Sequence, residues 1–426
     1  MIKKYLTDIN NKIYLKKSII KEESNKNNNC IEVLPNKEIT NFLGFGSAIT
    51  ESSSYNYNEL SKENKEKFIN EYYSSYGLNL NFGRISIGSN DFSLNSFSYT
   101  KNKDLSDFTI NHDKEYVIPL LKDILNTKDI SLIASPWSPP VMYKKIPSLY
   151  WGIKLSKKHY QDYVNYLIKF INEYQKQNIK IDYLTIQNEP MARQRWESCI
   201  FNIDEQKDFI YNYLLNKLNN TKVLLWDHNK DNLFNIVNNL YEENKKIGGV
   251  AFHYYTAHSF DEIKKIRKKY PDLLLINTEM CCGYTKYNEI NWINDAEYYL
   301  NDIIGDMNNG VNAYLDWNIL LDENGGPTYK KNYVKSASIR VNDYYIKTPI
   351  YYYLYHISHF ISDNSIIVEN KNNTNLQVVS LKNKNKYIVI VMNNQNDPIK
   401  YNLLLNKKTI SDIINSHSII TYEISL

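Results

Sequence analysis

No stretch of this 426-residue chain approaches the eighteen or so consecutive apolar residues that a membrane-spanning helix needs, so stable membrane insertion is not expected. The opening twenty residues, MIKKYLTDINNKIYLKKSII, are basic but lack an unbroken apolar segment and a small-residue cleavage site. That places the expected location in the cytoplasm. The four cysteines, Cys30, Cys199, Cys281 and Cys282, form no CxxC pair, and the last two are adjacent, a spacing poorly suited to a disulfide. Reduced thiols are expected. No GxGxxG or GxxxxGK[ST] follows any apolar run, which removes the usual dinucleotide and phosphate cradles, and Ser135 in ASPWSPP has no GxSxG elbow around it. No cofactor is expected. Net charge is only +4, and the densest basic cluster, KKIRKK at 264–269, alternates with apolar residues as the outer face of a helix does. Without an aromatic platform beside it, no nucleic-acid partner is expected. His356 and His359 have a spacing seen at metal sites but no Cys or carboxylate neighbour, so they read as packing residues and no metal is expected.

What the chain does contain is one pattern repeated eight times: a short apolar run that ends in polar or aromatic residues, followed by a stretch long enough for a helix. The runs are FLGFGSAIT (42–50), NFGRISIGS (81–89), ISLIASPW (130–137), IDYLTIQNE (181–189), KVLLWDHN (222–229), GGVAFHYY (248–255), DLLLINTE (272–279) and VNAYLDWN (311–318). Between them, segments such as 156–178 and 204–220 carry apolar residues every three or four positions, the period of an amphipathic helix. Near-continuous apolar strands alternating with such helices indicate a parallel sheet covered on both faces, and eight units close a barrel. The expected fold class is therefore α/β, a (β/α)8 TIM barrel over 39–362 with its last helix at 350–362. An open doubly wound sheet is the competing architecture, and it would place a glycine-rich phosphate loop after a strand. Beyond 362 the chain changes to short β-rich runs between Asn, Asp and Lys turns, the pattern of an antiparallel sandwich. Residues 1–38 and 363–426 are expected to form this β-sandwich side domain.

In such a barrel the residues just past each strand share one mouth. Here they are Glu51, Asn90 and Asp91, Trp137, Asn188 and Glu189, Asp227 to Asn229, His253 to Tyr255, Glu279, and Asp316 to Asn318. Two carboxylates facing each other in a pocket of aromatics and amides are what glycosidic cleavage requires. Glu189 and Glu279, ending the fourth and seventh strands, are the expected catalytic pair. Trp137 and Trp317 suit the apolar faces of a pyranose, and Asn188 a sugar hydroxyl. Either glutamate alone would more often be a surface loop residue; ending predicted barrel strands is what singles them out. Cys281 and Cys282 are read as small packing residues under the site.

The ordered motifs GFGSAITE, GRISIGSNDFS, ASPWSPPVMYK, LTIQNEP, INTEMCCG and DWNILLDENGGPTYKKN resemble glycoside hydrolase family 30, and the chain looks most like its glucosylceramidase branch. The resemblance covers essentially the whole sequence. It implies a retaining, exo-acting β-glycosidase with Glu189 as acid/base, protonated at working pH, and Glu279 as nucleophile. By the same resemblance Asp91 and Trp137 match residues that hold the sugar's outer hydroxyls, and Asn188 the amide that meets the 2-hydroxyl. Trp317 and Asn332 match further sugar contacts, Arg84 the arginine close to the nucleophile, and His253 and Tyr255 the family's HWY segment, here with Tyr254 at its centre. The family also includes β-xylosidases, β-fucosidases and β-1,6-glucanases. The expected partner is a small soluble glycoside or oligosaccharide, with a glycolipid as the other candidate. A non-hydrolytic carbohydrate-binding protein and a transglycosylase are the remaining readings.

Overall fold

The computed structural model describes the chain except residues 24–27, 257, 283–291, 331–335, 363, 364 and 426. Eight parallel strands close into a barrel: Gly44–Ala48, Phe82–Ile87, Ser131–Pro136, Tyr183–Thr185, Lys222–Asn229, Ile247–His253, Leu274–Glu279 and Ala313–Asn318. They are numbered here as barrel strands 1 to 8. The ring closes where Ala313 of strand 8 pairs with Gly44 of strand 1. Alternation along each strand divides the side chains into two sets. On strand 5, Leu224 joins Phe82, Ile133, Ala251, Ile276, Ala313 and Leu315 in one packed cluster filling the lumen. Its neighbours Val223 and Leu225 pack into the larger core beneath the helices. Strands 1 and 2 come so close that a Cβ on Gly46 would stand 2.4 Å from the Phe82 carbonyl oxygen, so no larger residue fits there.

The helical periodicity has its physical counterpart. The helix Tyr160–Gln175 buries Tyr160, Tyr163, Val164, Tyr166, Leu167, Phe170 and Tyr174 and leaves its other residues partly or fully exposed. The expected helix at 204–220 is less regular: an Asn202–Glu205 capping box starts Ile203–Asp208, a π-helical turn follows over Phe209–Leu214, and a 3₁₀ turn ends it at Leu215–Lys217. In the basic cluster, Lys264, Lys265, Lys268 and Lys269 are exposed, but Arg267 turns inward and donates to the carbonyls of Leu273 and Gly310 and to Asn312.

The β-rich runs and the N-terminal segment form one nine-stranded sheet, in the order Lys408–Ile414, Ile399–Leu405, Cys30–Asn41, Ile366–Asn372, Gln377–Asn383, Lys386–Asn393, Ser418–Ser425, Ile2–Asp8 and Ile13–Ile20. The sandwich expected from sequence is built from a single continuous sheet that folds over on itself. Two contacts between strands far apart in that order show the fold-over: the hydroxyls of Tyr401 and Tyr422 stand 2.5 Å apart, and Lys4 pairs with Asp412 at 2.5 Å. Val389, Leu403, Ile410 and Ile420 pack in the core between the halves. The last barrel helix, Pro349–Ser358, docks on this sheet through His356, whose two ring nitrogens each stand 2.9 Å from a threonine hydroxyl, Thr421 and Thr7. Burial pushes that imidazole down to about 3, so His356 packs as a neutral ring.

Candidate active site

The chemistry-bearing residues gather at the carboxyl ends of the strands, and irregular backbone there aims them. Register shifts interrupt the ladders between Trp226 and His228, between Asn277 and Glu279, and between Asp316 and Asn318. Each is an extra residue at the mouth end, where a bulge re-aims a side chain. At the strand 5 bulge Trp226 and Asp227 take φ of 78° and 66°, a left-handed geometry that costs a non-glycine residue about 1 kcal/mol or more. The result is that Asp227 points inward. Strand 4 pairs only over Tyr183–Thr185, shorter than expected from sequence, and the chain then continues through Asn188, whose amide donates to the Pro136 carbonyl at 2.8 Å. Glu189 follows at φ 46°, its amide 2.9 Å from the Asp227 carbonyl.

Arg84 of strand 2 is the hub. Its guanidinium is fully buried and makes four contacts: Nη1 to Glu279 Oε2 at 2.5 Å, Nη2 to Asn188 Oδ1 at 2.8 Å and Asp227 Oδ2 at 2.9 Å, and Nε to Ser135 Oγ at 3.1 Å. Trp137 and Trp317 stack on each other with ring centres 5.5 Å apart and lie 4.8 and 5.6 Å from the guanidinium carbon. The two indoles thus hold the arginine as well as line the mouth. Glu279 receives a second hydrogen bond from the Tyr255 hydroxyl at 2.9 Å, and the same hydroxyl lies 3.3 Å from Cys281 Sγ.

Asp227 links this cluster to the other glutamate. It accepts from Thr185 and Thr278, both at 2.7 Å, and faces His253 Nε2 at 3.2 Å. Burial pushes its carboxyl upward, but Arg84 and His253 outweigh burial and hold it far below the usual carboxylate range. His253 Nδ1 in turn faces Glu189 Oε1 at 3.6 Å, and His228 Nδ1 faces the same oxygen at 3.9 Å. Glu189 Oε2 accepts from Gln194 at 3.2 Å. Burial alone would lower the His253 imidazole, yet the surrounding Glu279, Asp227 and Glu189 lift it to about 9. Burial alone would raise Glu189, yet His253 brings it below its ordinary value. These charges favour the protonated form of His253 and the carboxylate form of Glu189, whereas a protonated Glu189 is expected from sequence. The reason is that three carboxylates surround one imidazole.

Most of the residues singled out from sequence converge: Arg84, Asn188, Glu189, His253, Tyr255, Glu279, Trp137 and Trp317 belong to one connected network. Asp91 is buried beside it, and its carboxyl is raised well above the usual range by burial and then by the charge of Glu279. Asn332 lies outside the described residues. Other mouth candidates hold the scaffold. Glu51 opens the helix Glu51–Asn58 and pairs with His112 at 2.7 Å, Asn318 accepts from Thr50 at 2.6 Å, and Asp316 accepts from Tyr299 and from the Trp317 amide. Asp227 and His228 are expected from sequence at the mouth but without a chemical role, and Thr185, Thr278 and Gln194 are not singled out there at all. The WDHN end of strand 5 marks Asp227 and His228, whereas Gln194 lies in a loop with no pattern to mark it.

Residues 42–361 match the family model for the glycosyl hydrolase family 30 TIM-barrel domain. A putative glucosylceramidase 3 of Caenorhabditis elegans is 33% identical over 84% of this chain and 74% of its own length. The lysosomal acid glucosylceramidase of Mus musculus is 27% identical over 86% of this chain and 77% of its own. Among solved structures, SrfJ from Salmonella typhimurium is similar with a TM-score of 0.95 and 26% identity over 100% of both chains. The endo-β1,6-glucanase BT3312 is similar with a TM-score of 0.88 and 25% identity over 100% of this chain and 99% of that one.

Proposed function

Because the chain belongs to glycosyl hydrolase family 30 and is a glycoside hydrolase, we propose that it is a retaining, exo-acting β-glucosidase working by double displacement. Glu279 is the nucleophile and Glu189 the acid/base. The observation that carries this reading is the pinned geometry of Glu279, with Arg84 on one carboxylate oxygen and Tyr255 on the other. A carboxylate held by two donors cannot swing away, so one lone pair stays aimed at a single point above it.

In the first step a Glu279 oxygen bonds to the anomeric carbon as the bond to the aglycone oxygen breaks, and that oxygen takes a proton from Glu189. The His253 proton faces Glu189 across 3.6 Å and supplies it. As Glu279 becomes an ester and loses its charge, Arg84 keeps Asp227 and Asn188, so the guanidinium is never left buried without a partner. In the second step Glu189 takes a proton from water, whose oxygen bonds to the anomeric carbon as the ester bond to Glu279 breaks; the sugar leaves with its configuration kept, Glu279 is a carboxylate again, and Glu189 returns the proton to His253. Trp137, Trp317, Asn188 and Asp91 hold the sugar. Glucose at the cleaved position is supported by the glucosylceramidase names of the curated relatives.

Following an aryl β-glucoside by proton NMR tests this directly: the β-anomer of glucose is expected to appear first, and first appearance of the α-anomer would overturn it. Peptide mapping after inactivation with a 2-fluoro glucoside is expected to find the label on Glu279. The likeness to an endo-β1,6-glucanase favours a second reading, cleavage within β-1,6-linked glucan. A panel of nitrophenyl β-glucoside, β-xyloside and β-fucoside beside glucosylceramide and β-1,6-glucan separates the two. Soluble glucosides are expected to be turned over; release of internal oligosaccharides from the glucan, with aryl glucosides inert, would favour the second.

A further inference from the structure

Three donors from three strands converge above strands 4 to 6. Glu189 Oε1 is faced by His253 Nδ1 at 3.6 Å and by His228 Nδ1 at 3.9 Å, and the three ligand atoms lie within 4.8 Å of one another. Apart from the Glu189 oxygen they face beyond hydrogen-bond distance, neither imidazole nitrogen has a partner, although both are buried, and His253 is wholly inaccessible. Buried, unpartnered donors of this kind are the exception in folded proteins. The remaining contacts orient them. Gln194 occupies Glu189 Oε2, which leaves Oε1 for the histidines. Asp227 faces His253 Nε2 at 3.2 Å, the carboxylate–histidine arrangement that fixes the ring and turns its other nitrogen toward a metal.

We propose that Glu189, His228 and His253 form a binding site for a zinc-class divalent ion, which blocks the acid/base glutamate when it binds. Two imidazoles and one carboxylate, with a fourth position open, are a donor set suited to zinc. Ligand atoms on a tetrahedral zinc stand about 3.4 Å apart, from bond lengths of about 2.0–2.1 Å. Two of the three separations here are within about 0.5 Å of that, and the widest needs a shift of under about 1.5 Å, within reach of side-chain adjustment. Asp227 and Glu279 add negative charge nearby against the guanidinium of Arg84, and the ion takes the place of the proton that His253 otherwise holds toward Glu189. The donors were hidden in the sequence because 39 and 25 residues separate positions 189, 228 and 253, and no short motif joins them.

The inhibitory consequence rests on Glu189 being the acid/base, but the binding does not, and the two are measured separately. Chelator-treated protein is titrated with zinc chloride by calorimetry, and the same zinc series is applied to aryl glucoside hydrolysis. One ion per chain is expected, with matching constants in the two assays. His228→Asn is expected to weaken both by at least about tenfold, relative to that variant's own metal-free rate, and His228→Asp, which keeps a ligand, to restore most of the loss. Cobalt(II) is expected to show the visible bands of a tetrahedral nitrogen and oxygen site in the parent and to lose them in His228→Asn. Unchanged zinc binding in a folded His228→Asn variant would overturn the site. So would loss of binding in Cys281→Ser with a thiolate-to-cobalt band in the parent. Zinc binding as expected without inhibition would keep the site and count against Glu189 as the acid/base.

Discussion

Arg84 Nη1 and Glu279 Oε2 stand 2.5 Å apart at the base of the mouth, and the same guanidinium reaches Asn188 and Asp227 through its other nitrogen. One planar fork thus sets the positions of three side chains from strands 4, 5 and 7. Lysine at this position keeps the charge but has no plane and fewer directed donors. Arg84→Lys is expected to lower kcat/KM for an aryl glucoside by about 10²–10³-fold, the scale of losing a preorganised electrostatic contact. A loss under about threefold would show that Glu279 is positioned by something else.

Asp227 carries no proton chemistry in the proposed mechanism, yet it sits between Arg84 and His253 with no exposed side-chain surface. Asp227→Asn changes charge with almost no change in volume. It removes the counter-charge of a buried pair, which typically costs about 3–5 kcal/mol because the remaining ion is left without its partner. Urea unfolding checks this. A loss under about 1 kcal/mol would mean that Glu279 alone compensates the guanidinium.

The barrel was legible because its signal is redundant: eight apolar runs of similar length each ended in polar residues, and an error in any one would not change the count. Glu189 and Glu279 were legible for the same reason, since strand ends mark the mouth. Their environment was not. Whether Glu189 or His253 holds the proton depends on three carboxylates drawn from strands 4, 5 and 7, a sum over distances that no linear pattern displays. The bulge that turns Asp227 inward was equally hidden, because Trp226 and Asp227 are ordinary strand-end residues with no glycine to announce a left-handed backbone. The fold-over of the side sheet escaped because strand propensity says nothing about whether two faces belong to one sheet or two.

If Glu189 delivers the proton, its importance scales with how badly the leaving group needs one. Glu189→Gln is expected to hydrolyse a dinitrophenyl glucoside at close to the parent rate in the first displacement and an alkyl glucoside hardly at all, so that log rate against leaving-group basicity becomes steep. Pre-steady-state release of the phenolate gives the first-step rates. A slope equal to the parent's would remove Glu189 from the acid role.

Stability should carry a titration remote from the mouth. Asp113 is fully buried and accepts hydrogen bonds from the hydroxyls of Tyr99 and Tyr174, both at 2.6 Å. Burial raises its carboxyl from 3.8 to about 6, with the two hydroxyls pulling back only part of that shift. The folded chain therefore holds this proton where the unfolded chain has released it. The stability it contributes is complete below 3.8, is lost as pH rises to about 6, and does not change further above that. The span corresponds to roughly 3 kcal/mol at 1.36 kcal/mol per unit. An asparagine in its place has nothing to ionise, so the stability of the parent relative to the Asp113→Asn variant is expected to fall by about that amount between about pH 3.5 and pH 7. The comparison cancels the acid-side loss from Asp227, whose depressed carboxyl works in the opposite direction in both proteins. Urea unfolding of the two proteins at both pH values measures it, and parallel pH profiles would show that burial leaves the Asp113 carboxyl at its unfolded-state value.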